Sequence, residues 1–565
     1  MLHRSTRTAQ TLLALAAAAV LLAGCVPPAL ERPAPEPELV GAEARQLLGE
    51  ARALLRAGRA EDALARLTGV PMGPDDPFAA DLLAARADAA FASRQPYLGV
   101  SALARREPLL EEPEQRAANQ RRLWNRMQEA IAAGVPLQTP AGAPPVPAGW
   151  MELGRAAAAS GGNPFRLRSG LAEWRERHPT HPAALGLVET LLAEYRAMTE
   201  YPRQVALLLP LSGRQEAAAT AVRDGFVAAY LAQGNEGERP ALRIYDTVAL
   251  GPTAAYELAV RNGADFIVGP LLKEELAELA TAQLPAVPSL ALNWADDPVV
   301  LPGHMYQYAL APEEEATAAA TRAFADGHRR ALALVHDTDQ GRRMAQSFNA
   351  AFTALGGEVL GATVFDPRAS DFGAEIRSLL LLTESSARHQ RLQSVLGRPL
   401  EYEPRRRQDV DFLFLAARPS EGLLIRPQLR FHYASDLPVY ATSSIYDAGR
   451  GSNADLDGVL FADMPWRVGA GDPAYMAQFR AFGPNALERS GRLYAFGADA
   501  YRLVPLLHNR SETLAGGVEG QTGRLRVDAS GRVQRELEWG RFQRGRVQHV
   551  PPPLRVLSEA DSPES

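Results

Sequence analysis

The sequence predicts an α-helical amino-terminal domain followed by a two-lobed α/β domain, with boundaries at 39–200 and 201–548. Apolar residues recur at helical spacing as far as about residue 198, and from Tyr201 the pattern changes to alternating strands and helices. The second region is too long for one sheet, which indicates two lobes. With 46% apolar residues, the 565-residue chain can bury cores of this size.

Charge and cysteine content exclude several classes of protein. The net charge of −6 supplies no global positive field that could neutralise phosphates, so we expect no nucleic-acid partner. The single cysteine excludes a disulfide within the fold, and it excludes a metal site built from several cysteines.

The amino-terminal segment has the pattern of an exported lipoprotein. A basic start at 3–7 precedes the apolar run Leu12–Leu22, and Leu22-Ala23-Gly24-Cys25 forms a lipobox. The run is about half of the ~20 residues that a spanning helix needs. Residues 1–24 are therefore predicted to be a removed signal peptide, with Cys25 as the lipidated mature amino terminus. The alternative is an ordinary secretory signal with an incidental cysteine.

The residues after the cysteine indicate the destination. Val26 stands where an aspartate would be expected for inner-membrane retention, which favours the outer membrane. Residues 25–38 are rich in proline and are predicted to form an extended tether. We therefore expect a lipid-anchored protein that faces the periplasm, held by two or three acyl chains.

The region 39–200 has the pattern of a tetratricopeptide-like α-solenoid. Ala44, Leu47, Leu48 and Leu55 fall on one helical face, and Gly58 is predicted to end that helix. Helical hairpins of irregular period follow. Three tryptophans on these helices are predicted to be core residues, with a binding platform as the alternative: Trp124, Trp150 and Trp174.

The region 201–548 reads as a doubly wound α/β arrangement. Val205–Pro210 is a continuous apolar run, typical of a strand that is buried on both faces. A carboxyl-terminal hairpin is predicted from Gly523 through Trp539, and a disordered acidic tail at 549–565. Further strands are predicted at Ala241–Asp246, Phe266–Gly269, Ser289–Asn293, Ala331–His336, Phe412–Ala416, Val439–Thr442 and Gly458–Phe461.

Catalytic motifs are absent from the sequence. It contains no nucleophile elbow, zinc-protease helix, phosphate-binding loop or dinucleotide-binding glycine pattern, and its histidines show no ligand spacing. The sequence therefore predicts that the protein is not an enzyme and needs no cofactor or metal.

Polar residues that follow predicted strands mark a candidate cleft. Ser212-Gly213 lies between a strand and a helix, where free N–H groups would favour an anion such as a carboxylate. The alternative is a helix N-cap. Residues at two further strand ends are expected to face the same cleft: Asn293, Trp294, Thr442, Ser443 and Ser444.

A run of arginines marks a candidate partner surface. Arg405, Arg406 and Arg407, preceded by further arginines from Arg388 onward, could form a basic patch for an acidic partner. An ordinary solvated face is the alternative.

Several segments carry a resemblance to known families. Residues 205–230 and 266–272 resemble the type I periplasmic-binding-protein fold, which by itself does not identify a function. The strings PRRRQDVD, IRP, LPVYATS and FADMPW, in this order from residue 404 to 466, together with the lipobox and the helical amino-terminal half, resemble the LppC/LpoA family of penicillin-binding-protein activators.

This resemblance implies an outer-membrane lipoprotein that docks on a bifunctional class A penicillin-binding protein and activates its transpeptidase. It implies that the carboxyl-terminal domain docks while the helical domain extends the reach. The rival hypothesis is a substrate-binding lipoprotein of an amino-acid or peptide transporter, which would require a ligand in the cleft. An enzyme that acts on the cell wall is a more distant alternative.

Overall fold

The structure is a computed structural model, and it describes residues 41–551 except 71–75, 234–237, 283, 297, 450–451, 472–475, 478–480, 482–485 and 512. The chain divides into two compact units. Unit 1 comprises Met1–Ala158 and Glu173–Thr190, and unit 2 comprises Ala159–Ala172 and Leu191–Ser565.

Helices form unit 1. The first ends at Arg56, and Gly58 follows in the left-handed region with φ of +72°, which glycine adopts without a Cβ penalty. Trp124, Trp150 and Trp174 are all buried, as the core-packing hypothesis predicts. Within the described residues, eight α-helices precede the first strand, the last two divided between the units: α1 Gly41–Arg56, α2 Ala60–Leu67, α3 Ala79–Ala92, α4 Pro96–Arg106, α5 Pro113–Ala132, α6 Pro145–Ala159, α7 Pro164–Arg177 and α8 Leu187–Met198.

The division between the units differs from the boundary predicted at residue 200. Residues 159–172 belong to unit 2, and side chains of this segment bond to other residues of that unit. Asn163 Nδ2 donates to the Glu519 carbonyl at 3.1 Å, and Arg168 pairs with Glu238 at 2.8 Å. Helical spacing in a sequence shows that a segment is helical, but not which unit the helix packs against. The sequence therefore could not show that residues 159–172 belong to unit 2.

Unit 2 contains two sheets, and the first sheet with its packed helices is called lobe 1. Its central strands are parallel and apolar, and both faces are covered by buried cores. The eight strands run in the order β11-β12-β13-β5-β4-β3-β1-β2. Their bounds are β1 Gln204–Leu209, β2 Ala241–Asp246, β3 Phe266–Val268, β4 Ser289–Ala291, β5 Met305–Tyr308, β11 Val518–Glu519, β12 Arg524–Val527 and β13 Arg532–Glu536.

The second sheet with its packed helices is called lobe 2. It has seven strands in the order β15-β14-β10-β9-β8-β6-β7, and it too is covered on both faces. The chain crosses between the lobes after Ala309, after Asp463 and at Leu537. The strands are β6 Arg330–His336, β7 Glu358–Phe365, β8 Phe412–Ala416, β9 Val439–Ala441, β10 Leu460–Asp463, β14 Glu538–Gln543 and β15 Arg546–Val550.

Helices connect these strands, and two of them pack very closely. A Cβ on Gly497 would lie 2.0 Å from the Val222 carbonyl oxygen, so only glycine allows this approach. The helices are α9 Glu216–Ala232, α10 Thr247–Leu250, α11 Pro252–Arg261, α12 Lys273–Thr281, α13 Pro312–Ala325, α14 Asp339–Ala354, α15 Gly373–Leu379, α16 Leu382–Leu396, α17 Pro419–Phe431, α18 Ala486–His508 and α19 Thr513–Gly516.

The carboxyl-terminal region differs from the prediction. The expected single hairpin is two hairpins in two sheets: β12 pairs with β13 in lobe 1, and β14 pairs with β15 in lobe 2. Polar and apolar residues alternate in the same way before and after Leu537. The sequence pattern therefore gave no sign that the chain passes from one sheet to the other at this residue. The disordered tail predicted at 549–565 overlaps β15, in which Val550 pairs with Trp539; residues 552–565 lie outside the described residues.

Candidate functional site

Ser212 and Gly213 follow β1 at the carboxyl edge of lobe 1. Ser212 stands at the N-cap position of the short helix that begins at Gly213, but its side chain makes no cap bond to that helix. Its hydroxyl instead bonds to the Asp246 carboxylate, which also accepts from Leu211 N and Val248 N at 3.1 and 3.0 Å. Burial raises the pKa of Asp246, but these hydrogen bonds outweigh it, and the pKa lies below its ordinary value.

Asn293 and Trp294 follow β4. The Asn293 side chain is engaged locally: its Nδ2 donates to the Leu271 carbonyl at 2.9 Å, and its Oδ1 accepts from Trp294 N at 3.0 Å. The Arg532 guanidinium lies over the Trp294 ring at 5.3 Å from its centroid, a cation–π arrangement. Both predicted residues therefore take part in fixed local structure at the edge of lobe 1.

A cavity of about 550 Å³ lies at this edge, with walls from both lobes. Asn293 and Trp294 line it, whereas Ser212, Gly213 and the Thr442–Ser444 turn are not among its lining residues. Charged side chains that line the cavity form ion pairs with one another. Lys273 Nζ lies 2.5 Å from Asp296, and Arg343 Nε lies 2.8 Å from Glu313.

The Thr442–Ser444 turn follows β9 in lobe 2, and its polar groups are bonded within the protein. Ser443 N and Ser443 Oγ donate to the two carboxylate oxygens of Glu315 at 2.8 and 2.7 Å. Thr442 Oγ1 lies 2.8 Å from Ser444 Oγ, which donates to the Ala417 carbonyl. The donors of this turn are therefore bound by a carboxylate of the chain itself.

Buried charges near Glu315 join the lobes. Glu314 accepts from Arg535 N and Nε at 3.0 and 2.6 Å, with both side chains almost fully buried. Asp463, at the end of β10, accepts from Arg492 Nη2 at 2.7 Å. Burial raises the pKa of Glu314 and of Glu315, and the nearby guanidinium groups oppose that rise.

The three arginines of the predicted partner patch have different environments. Arg406 is buried and donates to the Tyr433 carbonyl and to Asp436 at 2.9 and 2.6 Å. Arg407 binds Asp409 through two nitrogens, and this pairing lowers the pKa of Asp409 to about 2. Only Arg405 is exposed, so the guanidinium surface that this run offers is smaller than the sequence suggested.

The structure therefore brings Asn293 and Trp294 to one cavity and leaves the other predicted residues at separate strand ends. Sequence reasoning missed Glu314, Glu315 and Arg535. The one available signal was the acidic first turn of α13, which is also ordinary for a helix amino terminus. Their partners are more than a hundred residues away in the chain, so no local pattern could reveal them.

Three further predictions concern the amino terminus, metals and membrane spans. Cys25 and the tether at 25–38 lie outside the described residues. Among the described residues, no cluster of three or more histidine, cysteine or acidic side chains is arranged to hold a metal ion. None of the helices in that part of the chain combines the length and apolar character needed to cross a bilayer.

The geometry of unit 2 defines a class of protein. Two doubly wound sheets, three chain crossings and a cavity lined by both lobes make it a two-lobed, periplasmic-binding-protein-like domain. The family model described as "LppC putative lipoprotein" matches residues 79–545, and the chain belongs to the LppC family.

Similar proteins carry related names. The penicillin-binding protein activator LpoA of Photobacterium profundum is 32% identical over 397 residues, which cover 70% of this chain and 64% of that relative. The match thus spans slightly less than two thirds of the relative's length.

Two solved structures resemble the chain. Full-length LpoA from Haemophilus influenzae matches with a TM-score of 0.51 at 24% identity. The match covers 91% of this chain and 90% of the LpoA chain. The LpoA (YraM) C-domain from the same organism, described as a regulator of PBP1A, has a TM-score of 0.50 at 26% identity. That match covers 62% of this chain and 100% of the C-domain.

Proposed function

We propose that this protein is an outer-membrane lipoprotein that docks on a bifunctional class A penicillin-binding protein and activates its transpeptidase. The observation that carries the proposal is the match to a C-domain described as a regulator of PBP1A, which is covered over its whole length. Membership of the LppC family and the activator name of the Photobacterium relative support it. In this proposal Cys25 anchors the chain to the outer membrane.

Activation by docking requires a difference in affinity. The lipoprotein must bind the active state of the synthase more tightly than the resting state, and a tenfold preference corresponds to about 1.4 kcal/mol. A few interface side chains can supply that difference. No catalytic step is assigned to this chain.

The hydrogen bonds of the Thr442–Ser444 turn favour docking over ligand transport as the function. In a receptor that closes on a small anion, free donors at the strand ends would bind the ligand. Here Ser443 N and Oγ both donate to the half-buried Glu315, so a ligand would have to displace a carboxylate that is already bound there. The cavity beside Trp294 is the observation that favours the rival, a substrate-binding lipoprotein of a transporter.

The test is a cross-linking assay with a purified class A synthase, lipid II and the full lipidated chain in detergent. The expected result is direct association and a larger cross-linked fraction of the product, with an unrelated outer-membrane lipoprotein as the control. Thermal-shift measurements with amino acids and short peptides test the rival, because a ligand at 100 times its Kd would stabilise the fold by about 2.7 kcal/mol. Such a shift, without association with the synthase, would favour the rival.

A further inference from the structure

Helix α16 in lobe 2 is held to the fold along only one side. Of its 15 residues, only Leu382 is buried. The chain turns at Gly397, and the following segment returns along the helix: Tyr402 stacks on His389 at 4.4 Å and donates to Ser385 Oγ at 3.2 Å. Arg406 fixes the end of this return segment in the lobe through Asp436. The helix is therefore an ordered element with a large exposed face.

The exposed face carries a stripe of two arginines followed by three aliphatic residues, which we call the α16 stripe: Arg388, Arg391, Leu392, Val395 and Leu396. At 3.6 residues per turn, these five positions fall within an arc of about 140°. The return segment contacts Ser385, just inside the edge of this arc, and His389, just outside it. Leu392, Val395 and Leu396 are 54%, 76% and 52% exposed, so three aliphatic side chains lie in solvent on adjacent turns.

The arginines of this stripe are not paired with carboxylates. Glu384 lies on the same face of the helix, one turn before Arg388, and from Ser385 to Leu400 the sequence contains three arginines and neither aspartate nor glutamate. Arg388, Arg391 and Arg398 make no ion pair with any carboxylate of the described residues, in contrast to Arg406 and Arg407, which are paired. A surface complementary to the stripe must therefore be acidic where it meets the arginines and apolar where it meets Leu392, Val395 and Leu396.

We propose that the α16 stripe is a docking site for a protein partner that presents an apolar groove with an acidic rim. Apolar positions at i, i+3 and i+4 are the pattern by which a helix inserts into a groove. A membrane surface suits the stripe less well, because an interfacial helix carries a broad apolar face with aromatic residues. The stripe has three aliphatic residues and no aromatic one. This inference rests on the proposed function, since it assigns the contact to the synthase.

The test compares matched variants of the full lipidated chain in detergent binding to the purified synthase. Val395→Ser removes an aliphatic contact from the stripe, whereas Val300→Ser changes a similarly exposed valine of lobe 1, which is 84% exposed against 76% for Val395. Burial of one such side chain predicts that Val395→Ser raises Kd by about tenfold, with Val300→Ser unchanged. Unchanged melting temperatures would show that both variants fold.

A second pair of variants tests the charge. Arg391→Glu reverses a stripe arginine, and Arg368→Glu reverses another exposed, unpaired arginine of lobe 2. We expect Arg391→Glu to raise Kd, with an effect that shrinks as salt rises, and Arg368→Glu to leave Kd unchanged. Both pairs of variants are measured from low to high salt.

The outcomes separate this inference from the proposed function. If the unaltered chain does not bind the synthase, the proposed function fails. If the unaltered chain binds and all four variants bind equally well, the α16 stripe is not the docking site. The stripe variants could instead bind the synthase normally and lose only their binding to anionic phospholipid vesicles, or only their self-association. The stripe would then contact a membrane or a second copy of the chain, and the proposal would be overturned.

Discussion

Glu315 holds Ser443 through both of its carboxylate oxygens, one bonded to the backbone N–H at 2.8 Å and the other to the hydroxyl at 2.7 Å. Glu315 lies in the first turn of α13, which begins directly after the chain enters lobe 2. The two bonds therefore join the start of the lobe to the carboxyl end of β9, at the edge where a ligand-binding relative of this fold would expose free donors.

Glu315→Ala should destabilise the protein because it leaves two donors of Ser443 without an acceptor. The expected loss is about 1–3 kcal/mol in the free energy of unfolding, measured by urea denaturation. Glu313→Ala is the control, since Glu313 pairs with Arg343 near the surface. Acetate should recover part of the loss in Glu315→Ala by taking the vacated place, and should leave the unaltered protein unchanged. Equal stability of Glu315→Ala and the unaltered protein would contradict this account.

The acidic turn also shows what the sequence could not predict. Glu313, Glu314 and Glu315 are consecutive and look equivalent, yet one pairs with Arg343, one with Arg535 and one with Ser443. Glu313 and Glu315 meet partners on other elements of lobe 2, whereas Glu314 meets Arg535 of lobe 1, so each carboxylate has its own environment. Local charge patterns contain no information on partners that are so distant in the chain.

The strands also show how far the sequence could predict the fold. Continuous apolar runs predicted β1 and β8, because a strand covered on both faces has no polar alternation. The sequence patterns did not predict β5, β7, β11 or β15. The burial of β7 alternates only weakly along its eight residues, since it is the edge strand of its sheet. The resemblance to the LppC/LpoA family was predicted from four strings, and the family match confirms it.

Loss of the buried ion pair between the lobes should be more costly than loss of a surface pair. Glu314 and Arg535 are 4% and 2% exposed in their side chains, so Glu314→Gln leaves a buried guanidinium without its counter-charge. The expected loss is about 3–5 kcal/mol in the free energy of unfolding. The double variant Glu314→Gln with Arg535→Met should recover much of it, because the unpaired charge is then removed. A double variant as unstable as the sum of the two single variants would argue against coupling of the pair.

The close packing of α9 against α18 predicts a steric effect. Gly497→Ala would place a Cβ at 2.0 Å from the Val222 carbonyl oxygen and 2.9 Å from Phe226 N, so the two helices must separate. We expect a loss of about 2–4 kcal/mol, seen as a lower melting temperature in calorimetry. Gly516→Ala is the matched control, since its Cβ meets no atom within 4 Å. If both variants melted together with the unaltered protein, the helix contact would be looser than described.

Glu275 predicts a pH dependence of stability. This carboxyl is buried in lobe 1 and accepts from Thr247 Oγ1 at 2.5 Å. Burial raises the pKa of Glu275 above its ordinary value of 4.5, and the Thr247 hydrogen bond opposes that rise. Between these two pKa values the folded chain keeps a proton that the unfolded chain has released. The stabilising contribution is therefore fully present below pH 4.5 and is lost as pH rises through the pKa of the folded state.

Glu275→Gln removes this titration. The unaltered protein should therefore lose stability relative to Glu275→Gln as pH rises: its free energy of unfolding minus that of the variant should fall from pH 4 to 7, about the range in which a raised carboxyl titrates. Urea denaturation at a series of pH values measures it. Glu278→Gln is the matched control, because Glu278 lies on the same helix and accepts from a threonine at 2.6 Å, but is exposed to solvent. A Glu275→Gln curve no steeper than that of this control would show that Glu275 titrates no differently in the folded and unfolded chains.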